Sequence, residues 1–404
     1  MDCQRTKRRR LQAKPGLKTF TEGTFPGVIY DICSYLSRQE ICKFTMTNKA
    51  TSGSIQSSRA FRPAKITVDY AKNQPYYYKH FLKTARGIYT IDCITYGIHW
   101  VHPPAEIKTE PYKITTVVPD RIIVTRDHRW IEFPSYYSED EGRTWQHTSV
   151  SPQESVYHNQ TVCCLKDGSL LCTGGSRAVD EGEGTTFLFS KEVWRSHDNG
   201  ISWNRLPDPA WKARCSHTMV LMDASVEDGV DAHTFGVIVL AGGATTDWTL
   251  LEDVWISPDG GVSWSRVSNV PSPSKTMVQL KDYEISYIPT QRAMVEFVTS
   301  GSMIYAVGGK PHPVDLLTAR KHHDVLIERK TVFWNDVWFS RNQGRLWHKL
   351  CHLPWPCVGE DSYRVQSVVL DRVDNVDYMY VSATKNADDS SAVVKIEFSY
   401  VDNC

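Results

Sequence analysis

Three segments of the 404-residue chain carry one long pattern in register, and no other feature constrains the fold as strongly. Each runs through β-prone residues into a Gly pair, then a loop, then Val-Trp, then a turn that closes on Trp. In the first copy the pieces are Leu170 to Gly175, Glu192-Val193-Trp194, and Ser196-His197-Asp198-Asn199-Gly200-Ile201-Ser202-Trp203. The second has Val239 to Gly243, Asp253-Val254-Trp255, and Ser257-Pro258-Asp259-Gly260-Gly261-Val262-Ser263-Trp264. The third has Tyr305 to Gly309, Asp336-Val337-Trp338, and Ser340-Arg341-Asn342-Gln343-Gly344-Arg345-Leu346-Trp347. Self-similarity of this kind marks a repeat architecture.

Each unit reads as a four-stranded antiparallel meander. Ser-x-Asp-x-Gly-x-x-Trp suits a hairpin between strands three and four: Gly tolerates a positive φ, Ser and Asp satisfy turn N–H groups, and Trp plugs the space beside the next sheet. The Gly pair after strand two lacks Cβ atoms, which permits close backbone packing near a crowded axis. Sheets of about fifty residues repeated around an axis are the mark of a β-propeller. A weaker copy precedes the three, with Ile122 to Thr125 as its second strand and Ser138 to Trp145 as its turn. The chain end supplies Val365 to Leu370, Tyr378 to Ala383 and Val393 to Phe398 and lacks a fourth strand, whereas Gly97 to Val101 reads as a fourth strand without a sheet. The two ends are therefore expected to complete one sheet between them.

The Gly-Gly and Trp spacing resembles kelch repeats, and the Ser-x-Asp-x-Gly-x-x-Trp turns resemble Asp boxes, which also occur in sialidases. The resemblance covers residues 95–404 and implies a mainly β, kelch-type propeller of the galactose oxidase/kelch-like superfamily. Five four-stranded blades are counted, and six if Ile66 to Asp69 and Ile88 to Asp92 also join. Residues 53–94 are expected as a linker with partial strands.

Upstream the character changes. Val28, Ile32 and Tyr35, with Ile29 and Leu36, recur at helical spacing after Pro26, and Ser37-x-x-Glu40 forms a capping box before Ile41 and Phe44. Two such short amphipathic helices need a partner surface. Residues 24–52 resemble an F-box, the adaptor-docking module of SCF-type ubiquitin ligases, through Phe25-Pro26, Ser34-Tyr35-Leu36, Glu40-Ile41 and Asn48-Lys49. The resemblance implies that Pro26, Val28, Ile29, Ile32, Tyr35, Leu36, Ile41 and Phe44 dock on a Skp-family adaptor and, through it, a cullin-based ligase. The alternative reading is a two-helix cap on the propeller.

Charge adds little direction globally, since Lys+Arg and Asp+Glu both total 46. No overall field steers the chain to nucleic acid or to an anionic membrane. Locally, residues 1–14 carry a net of +5 within a basic tail over 1–20, leaving −5 for the remainder. No stretch of 18 apolar residues is present and no apolar core follows the basic start, so neither a membrane span nor a secretory signal is expected. Eleven scattered cysteines without Cys-x-x-Cys spacing then read as reduced thiols of a cytoplasmic or nuclear protein. Lys7 to Arg10 suits a nuclear address or a solvated tail.

Enzymatic alternatives require particular residues. Phe61-Arg62-Pro63 ahead of Asp boxes resembles the arginine motif of sialidases, for which Arg292, Arg320, Arg364, Tyr363 and Glu360 would have to supply the rest. A galactose-oxidase-like site would need copper and a Cys-Tyr crosslink, chemistry awkward in a reducing compartment. His322 and His323, with His312, point apart if the segment is a strand, and Cys163-Cys164 and Cys351 with Cys357 lack zinc spacing, so no metal or other cofactor is expected. The reading carried forward is a non-catalytic substrate receptor, with a propeller glycosidase or a kelch scaffold unconnected to ubiquitin as alternatives. In a meander the loops after strand two share a face with the links from strand four to the next sheet, opposite the Asp-box turns. Those loops vary in length, so target contacts are expected from Arg177, Trp248, Lys310, Arg320, His322, His323 and Arg329, with Trp211 and Trp355 from the links; the alternative is that the loops are tolerated insertions and that Trp211 and Trp355 are packing plugs.

Overall fold

The computed structural model describes residues 61–70, 79–84, 87–92, 97–100, 112–113, 122–132, 136–147, 160–180, 185–224, 228–247, 249–267, 276–280, 283–287, 295–309, 333–345, 347–357, 359, 361–373, 376–385, 387 and 391–400. The chain divides into two compact units, one of residues 63–398 and one of 1–62 with 399–404. The first is a β-propeller. Of the second, the described residues are the ends of two strands, and the F-box-like segment lies outside the described residues.

The strands, in chain order, are β1 (Phe61–Tyr70), β2 (Lys79–Thr84), β3 (Gly87–Asp92), β4 (Gly97–Trp100), β5 (Tyr112–Lys113), β6 (Ile122–Val124), β7 (Trp130–Glu132), β8 (Tyr136–Ser138), β9 (Gln146–His147) and β10 (Thr161–Cys164). There follow β11 (Leu170–Thr173), β12 (Ser176–Asp180), β13 (Thr185–Phe189), β14 (Val193–Ser196), β15 (Asn204–Arg205), β16 (Thr218–Met222), a short helix α1 (Val230–Phe235), β17 (Val237–Ala241), β18 (Val254–Ser257) and β19 (Ser265–Val267). The last are β20 (Thr276–Leu280), β21 (Tyr283–Tyr287), β22 (Glu296–Ser300), β23 (Met303–Val307), β24 (Asp336–Ser340), β25 (His348–His352), β26 (Tyr363–Val373), β27 (Val376–Lys385) and β28 (Ser391–Tyr400).

Five four-stranded blades are antiparallel meanders taken in chain order: β2-β3-β4-β5, β6-β7-β8-β9, β10-β11-β14-β15, β16-β17-β18-β19 and β22-β23-β24-β25. A further four-stranded sheet, β26-β27-β28-β1, is closed by the first described strand. The five blades counted from the sequence take in the carboxyl-terminal sheet and leave out β2-β3-β4-β5, to which Ile88 to Asp92 contributes as part of β3. The first strand of each sheet contacts the first strand of its neighbours, β2 to β6, β10, β16, β22, β26 and back to β2, which closes a ring. Hydroxyls tie that ring together. Thr161 Oγ1 donates to His217 O at 2.7 Å, Thr218 Oγ1 to Val295 O at 2.9 Å, and Thr299 Oγ1 to Leu221 O at 2.7 Å, while Ser367 Oγ accepts from Phe81 N at 3.1 Å.

The structure corrects four details of strand assignment. Gly97–Trp100 is the third strand of its own sheet, between β3 and β5, and the strand that completes the carboxyl-terminal sheet is β1. Residues 53–94, expected as linker with partial strands, hold β1, β2 and β3, full members of two sheets. Ile122 to Val124 is the first strand of its sheet, and Trp130–Glu132 the second. Finally, the Asp-box Trp seals the seam with the preceding sheet: Trp145 packs with Leu82, Tyr89 and Ile91, and Trp264 packs with Leu165, Leu171 and Val193. The tight turn explains this direction, because the third and fourth strands place the box against the sheet already laid down.

The core is a set of layers between sheets. Leu171 and Val193 face Met219, Ile238 and Leu240 of the following blade, and Val239, Val254 and Ile256 face Phe297, Ala306 and Trp338 of the next. Full burial of such side chains is worth about 1.5–3 kcal/mol each.

Candidate binding faces

The Asp-box face is built by hydrogen bonds over four residues of sequence. In the box at 257–264, Ser257 Oγ donates to Asp259 Oδ1 at 2.9 Å and accepts from Gly261 N at 2.9 Å. Asp259 then accepts from Ser263 N at 2.9 Å and from Ser263 Oγ at 2.5 Å. Trp264 Nε1 finishes the turn on Gly261 O at 3.0 Å. The same set recurs around Asp140 and Asp198. At 340–347 Asn342 takes the place of Asp and still accepts from Ser340 Oγ at 3.0 Å. Burial pushes each of the three carboxyls up, but the Ser or Thr hydroxyl and N–H bonds outweigh it and hold them below the ordinary value. Their lone pairs are thereby occupied within the turn.

Two adjoining clefts open on this face, of about 350 Å³ and about 450 Å³. They share Asp127, which accepts from Thr125 Oγ1 and from Asn199 Nδ2 at 3.0 Å. Around it Arg129 pairs with Glu139 at 2.7 Å, Tyr89 OH donates to Glu141 at 3.0 Å, and Arg126 Nη1 donates to Lys166 O at 2.7 Å. Both signs of charge are present and largely committed to one another.

The opposite face, reached by the loops after the Gly pairs, is organised differently. Arg214, 0% exposed, forms a bidentate pair with Asp253, Nη1 to Oδ1 at 2.7 Å and Nη2 to Oδ2 at 2.8 Å, and also donates to Gly242 O at 2.9 Å. Trp255 Nε1 donates to Asp253 Oδ2 at 2.7 Å. Burial raises the Asp253 carboxyl, and the Arg214 bonds and charge more than reverse that, leaving it below its usual value. His217 lies alongside, with Nε2 2.8 Å from Thr173 Oγ1, and among the described residues Nδ1 has no hydrogen-bond partner. Burial, helped by the Arg214 charge, holds its pKa down to about 3. The Gly pairs permit this crowding: a Cβ on Gly174 would sit 2.5 Å from His217 Cε1, and one on Gly243 would sit 2.7 Å from Cys215 O. An acidic residue two before the Trp is thus a repeated device, since Glu192 also accepts from Trp194 Nε1 at 3.1 Å.

From this locked base rises a ribbon. β12 and β13 pair as a separate two-stranded sheet, from Ser176 opposite Phe189 to Asp180 opposite Thr185. Its root is stitched to the base, because Ser190 N donates to Gly175 O, Arg214 N to Ser190 O and Gly175 N to Arg214 O, all at 2.9–3.0 Å. A second ribbon, β20-β21, is inserted in the link between two blades on the same face.

Of the expected target contacts, Arg177 is half-buried in β12, opposite Leu188. Trp211 and Trp355, expected as target contacts or else as packing plugs, are packing: 3% and 5% exposed, the first meets Trp264 edge-on with ring centres 4.5 Å apart and the second lies tilted against Tyr363 at 4.9 Å. They follow the box by a short link that turns inward over the sheet seam. Trp248, Lys310, Arg320, His322, His323 and Arg329 lie outside the described residues, as do all eight adaptor-docking residues. The ribbon and the Arg214 pair were missed by sequence reasoning. The available signals were Thr185-Thr186-Phe187-Leu188-Phe189 beyond Gly182 and Gly184, and the acidic residue before every Val-Trp.

Among the described residues, Cys163, Cys164, Cys172, Cys215, Cys351 and Cys357 are free thiols, and burial pushes each up, Cys351 to about 12. No group of His, Cys, Asp or Glu among them is arranged to hold a metal, and no described helix is long and apolar enough to cross a membrane.

No family model matches the chain, and no curated protein matches it. Among solved structures it is similar to that of YjhT, at 11% identity over 78% of this chain and 75% of that chain, with a TM-score of 0.41.

Proposed function

We propose that the chain is the substrate-recognition subunit of an SCF-type ubiquitin ligase. Residues 24–52 dock on a Skp-family adaptor, the face of the propeller after the Gly pairs holds a target protein, and the ubiquitin chemistry belongs to other subunits. The observation that carries the reading is the ribbon-bearing face on its fixed base: Arg214, Asp253, Trp255 and Trp211 bond to or stack on one another and leave the inserted segments to differ freely. A rigid scaffold with variable insertions is the physical requirement for recognition of a macromolecule. Against the glycosidase reading, Arg62 belongs to β1, the outermost strand of the composite sheet, three strands from the ring of first strands. Tyr363, drafted there as a nucleophile, has its ring buried against Trp355. The receptor reading carries with it work in the cytoplasm or nucleus.

Titration of purified Skp-family adaptor into the full chain tests the proposal. Specific binding is expected, weakened by about two orders of magnitude on Ile32→Ala with Leu36→Ala, since two buried apolar anchors are each worth roughly 1.5–3 kcal/mol. Absence of adaptor binding, or undiminished binding by the folded double variant, overturns it. Turnover of a fluorogenic sialoside would support the glycosidase instead.

A further inference from the structure

The fourth residue of each Asp box reaches back across a seam between blades. Glu141, Asn199, Gly260 and Gln343 all take left-handed backbone angles, with φ of 60°, 57°, 69° and 58°, a conformation that residues with side chains adopt at a cost. Each bonds to the blade laid down before its own. Tyr89 OH donates to Glu141 at 3.0 Å, Asn199 Nδ2 to Asp127 Oδ2 at 3.0 Å, Arg195 Nη1 to Gly260 O at 3.2 Å, and Gln343 Nε2 to Asp228 Oδ1 at 2.9 Å. One such bond per box, made by different chemical groups, marks this position as a clasp between neighbouring blades.

The clasps differ in chemical durability. Glu141 contributes a carboxylate and Gly260 a backbone carbonyl, so neither has a side-chain amide to lose. Gln343 has one, but attack on it by the next backbone nitrogen closes a larger ring and is slow. Asn199 is followed by Gly200, whose nitrogen has no side chain beside it to hinder approach to the Asn199 Cγ. Asn199 also lines the cleft of about 450 Å³, so water reaches it. In the closed clasp both reacting nitrogens are held, Nδ2 by Asp127 and Gly200 N by Ser196 Oγ at 2.8 Å. Reaction therefore requires a local opening of the turn.

We infer that Asn199 is a site of self-modification by deamidation, that its bond to Asp127 sets the rate, and that the product leaves this seam unclasped. Hydroxide from solvent removes the Gly200 N–H proton, and the nitrogen bonds to Asn199 Cγ. The Cγ–Nδ2 bond then breaks and ammonia leaves with a proton from water. Water opens the resulting cyclic imide at either carbonyl, giving aspartate or isoaspartate, so the net change is hydrolysis of one amide. A carboxylate then stands against that of Asp127 where a donor stood before, and like charges at that range repel. Loss of ammonia makes the change one-way, so unclasped molecules accumulate as the protein ages. The inference does not depend on which face holds a target.

Incubation of the full-length chain in mildly alkaline buffer made with heavy-oxygen water, followed by peptide mapping in a mass spectrometer, tests it. Label is expected to enter at position 199, more slowly in the folded chain than in urea, while Asn342, followed by Gln343, keeps its amide. Asp127→Ala should speed conversion of the folded chain about tenfold, the rise in open population expected when one hydrogen bond to a charged group is lost. Asn199→Gln should abolish labelling at that position. The converted fraction, separated by charge, should show faster amide exchange at 199–203 with the box at 257–264 unchanged. Should Asp127→Ala lose its fold, Asn199→Asp installs the product directly and must loosen the same turn. The inference is overturned if the folded chain keeps the Asn199 amide while the unfolded chain loses it, or if both convert equally fast. It is likewise overturned if folded Asp127→Ala converts no faster, or if the converted fraction exchanges as the starting protein does.

Discussion

The two faces of the propeller use polar side chains in opposite ways. On the Asp-box face the carboxylate of each box Asp, at Asp140, Asp198 and Asp259, is consumed by its own turn within four residues. On the other face the decisive pair, Arg214 with Asp253, joins residues 39 apart and lies under the segments that vary. Local bonds make a turn that repeats, and long-range bonds make a base that holds something unique. Repetition in sequence marks the locally bonded turns, and the long-range pair and the inserted strands stand where repetition stops.

Substitutions on the two faces separate these roles. Arg214→Ala leaves Asp253 buried without its partner, and loss of about 3–5 kcal/mol is expected, read as a lower midpoint in chemical denaturation. A change no greater than that of a surface substitution would remove the locked base from the account. Acid comes next. His217 binds its proton only near pH 3 in the folded chain, against about 6.5 when unfolded, so the unfolded state is protonated first and stability falls as pH drops through that window. The slope reaches about 1.4 kcal/mol per pH unit, and His217→Gln should flatten it above pH 4. Below that, the depressed carboxyls of Asp253 and the boxes add their own loss, since their stabilisation is complete above their unfolded value and disappears as pH falls through the folded one.

Gly243→Ala places a Cβ 2.7 Å from Cys215 O at a φ of +89°, with an expected cost of about 1–3 kcal/mol in thermal unfolding. The smallest effect belongs to the repeated face: Asp259→Ala removes three bonds from a partly exposed turn and should cost about 1–2 kcal/mol. If Asp259→Ala proved more damaging than Arg214→Ala, the assignment of local and long-range roles would be reversed.

The fold was legible wherever its cause was local. Ser-x-Asp-x-Gly-x-x-Trp appears in sequence because its hydrogen bonds span i to i+4, and the Gly pairs appear because residues at positive φ such as Gly174 and Gly243 exclude side chains. The closing strand was misassigned for the converse reason. β1 meets β28 across nearly the whole chain, and a strand whose partner is that distant leaves no periodic trace beside it. Gly97–Trp100 imitated a fourth strand because its Gly-Ile-x-Trp repeats part of a box motif. Of the candidate site, the first loop after a Gly pair holds the paired strands β12 and β13, which no repeat announces, and Trp211 and Trp355, offered as contacts, are buried, because aromatic type does not distinguish an anchor from a plug. Burial does, and burial is not written in the residue.

The proposed placing of recognition on the face after the Gly pairs is decided by comparing captured proteins. Proteins co-purifying with the full chain under native conditions are quantified for three forms: unaltered, Phe187→Ser with Leu188→Ser and Arg320→Glu with Arg329→Glu, and Ile201→Ser with Val262→Ser at exposed positions of two Asp boxes. The account predicts that the second form loses target while keeping adaptor and melting temperature, and that the third keeps both target and adaptor. Retention of target by the second form together with its loss by the third would contradict it.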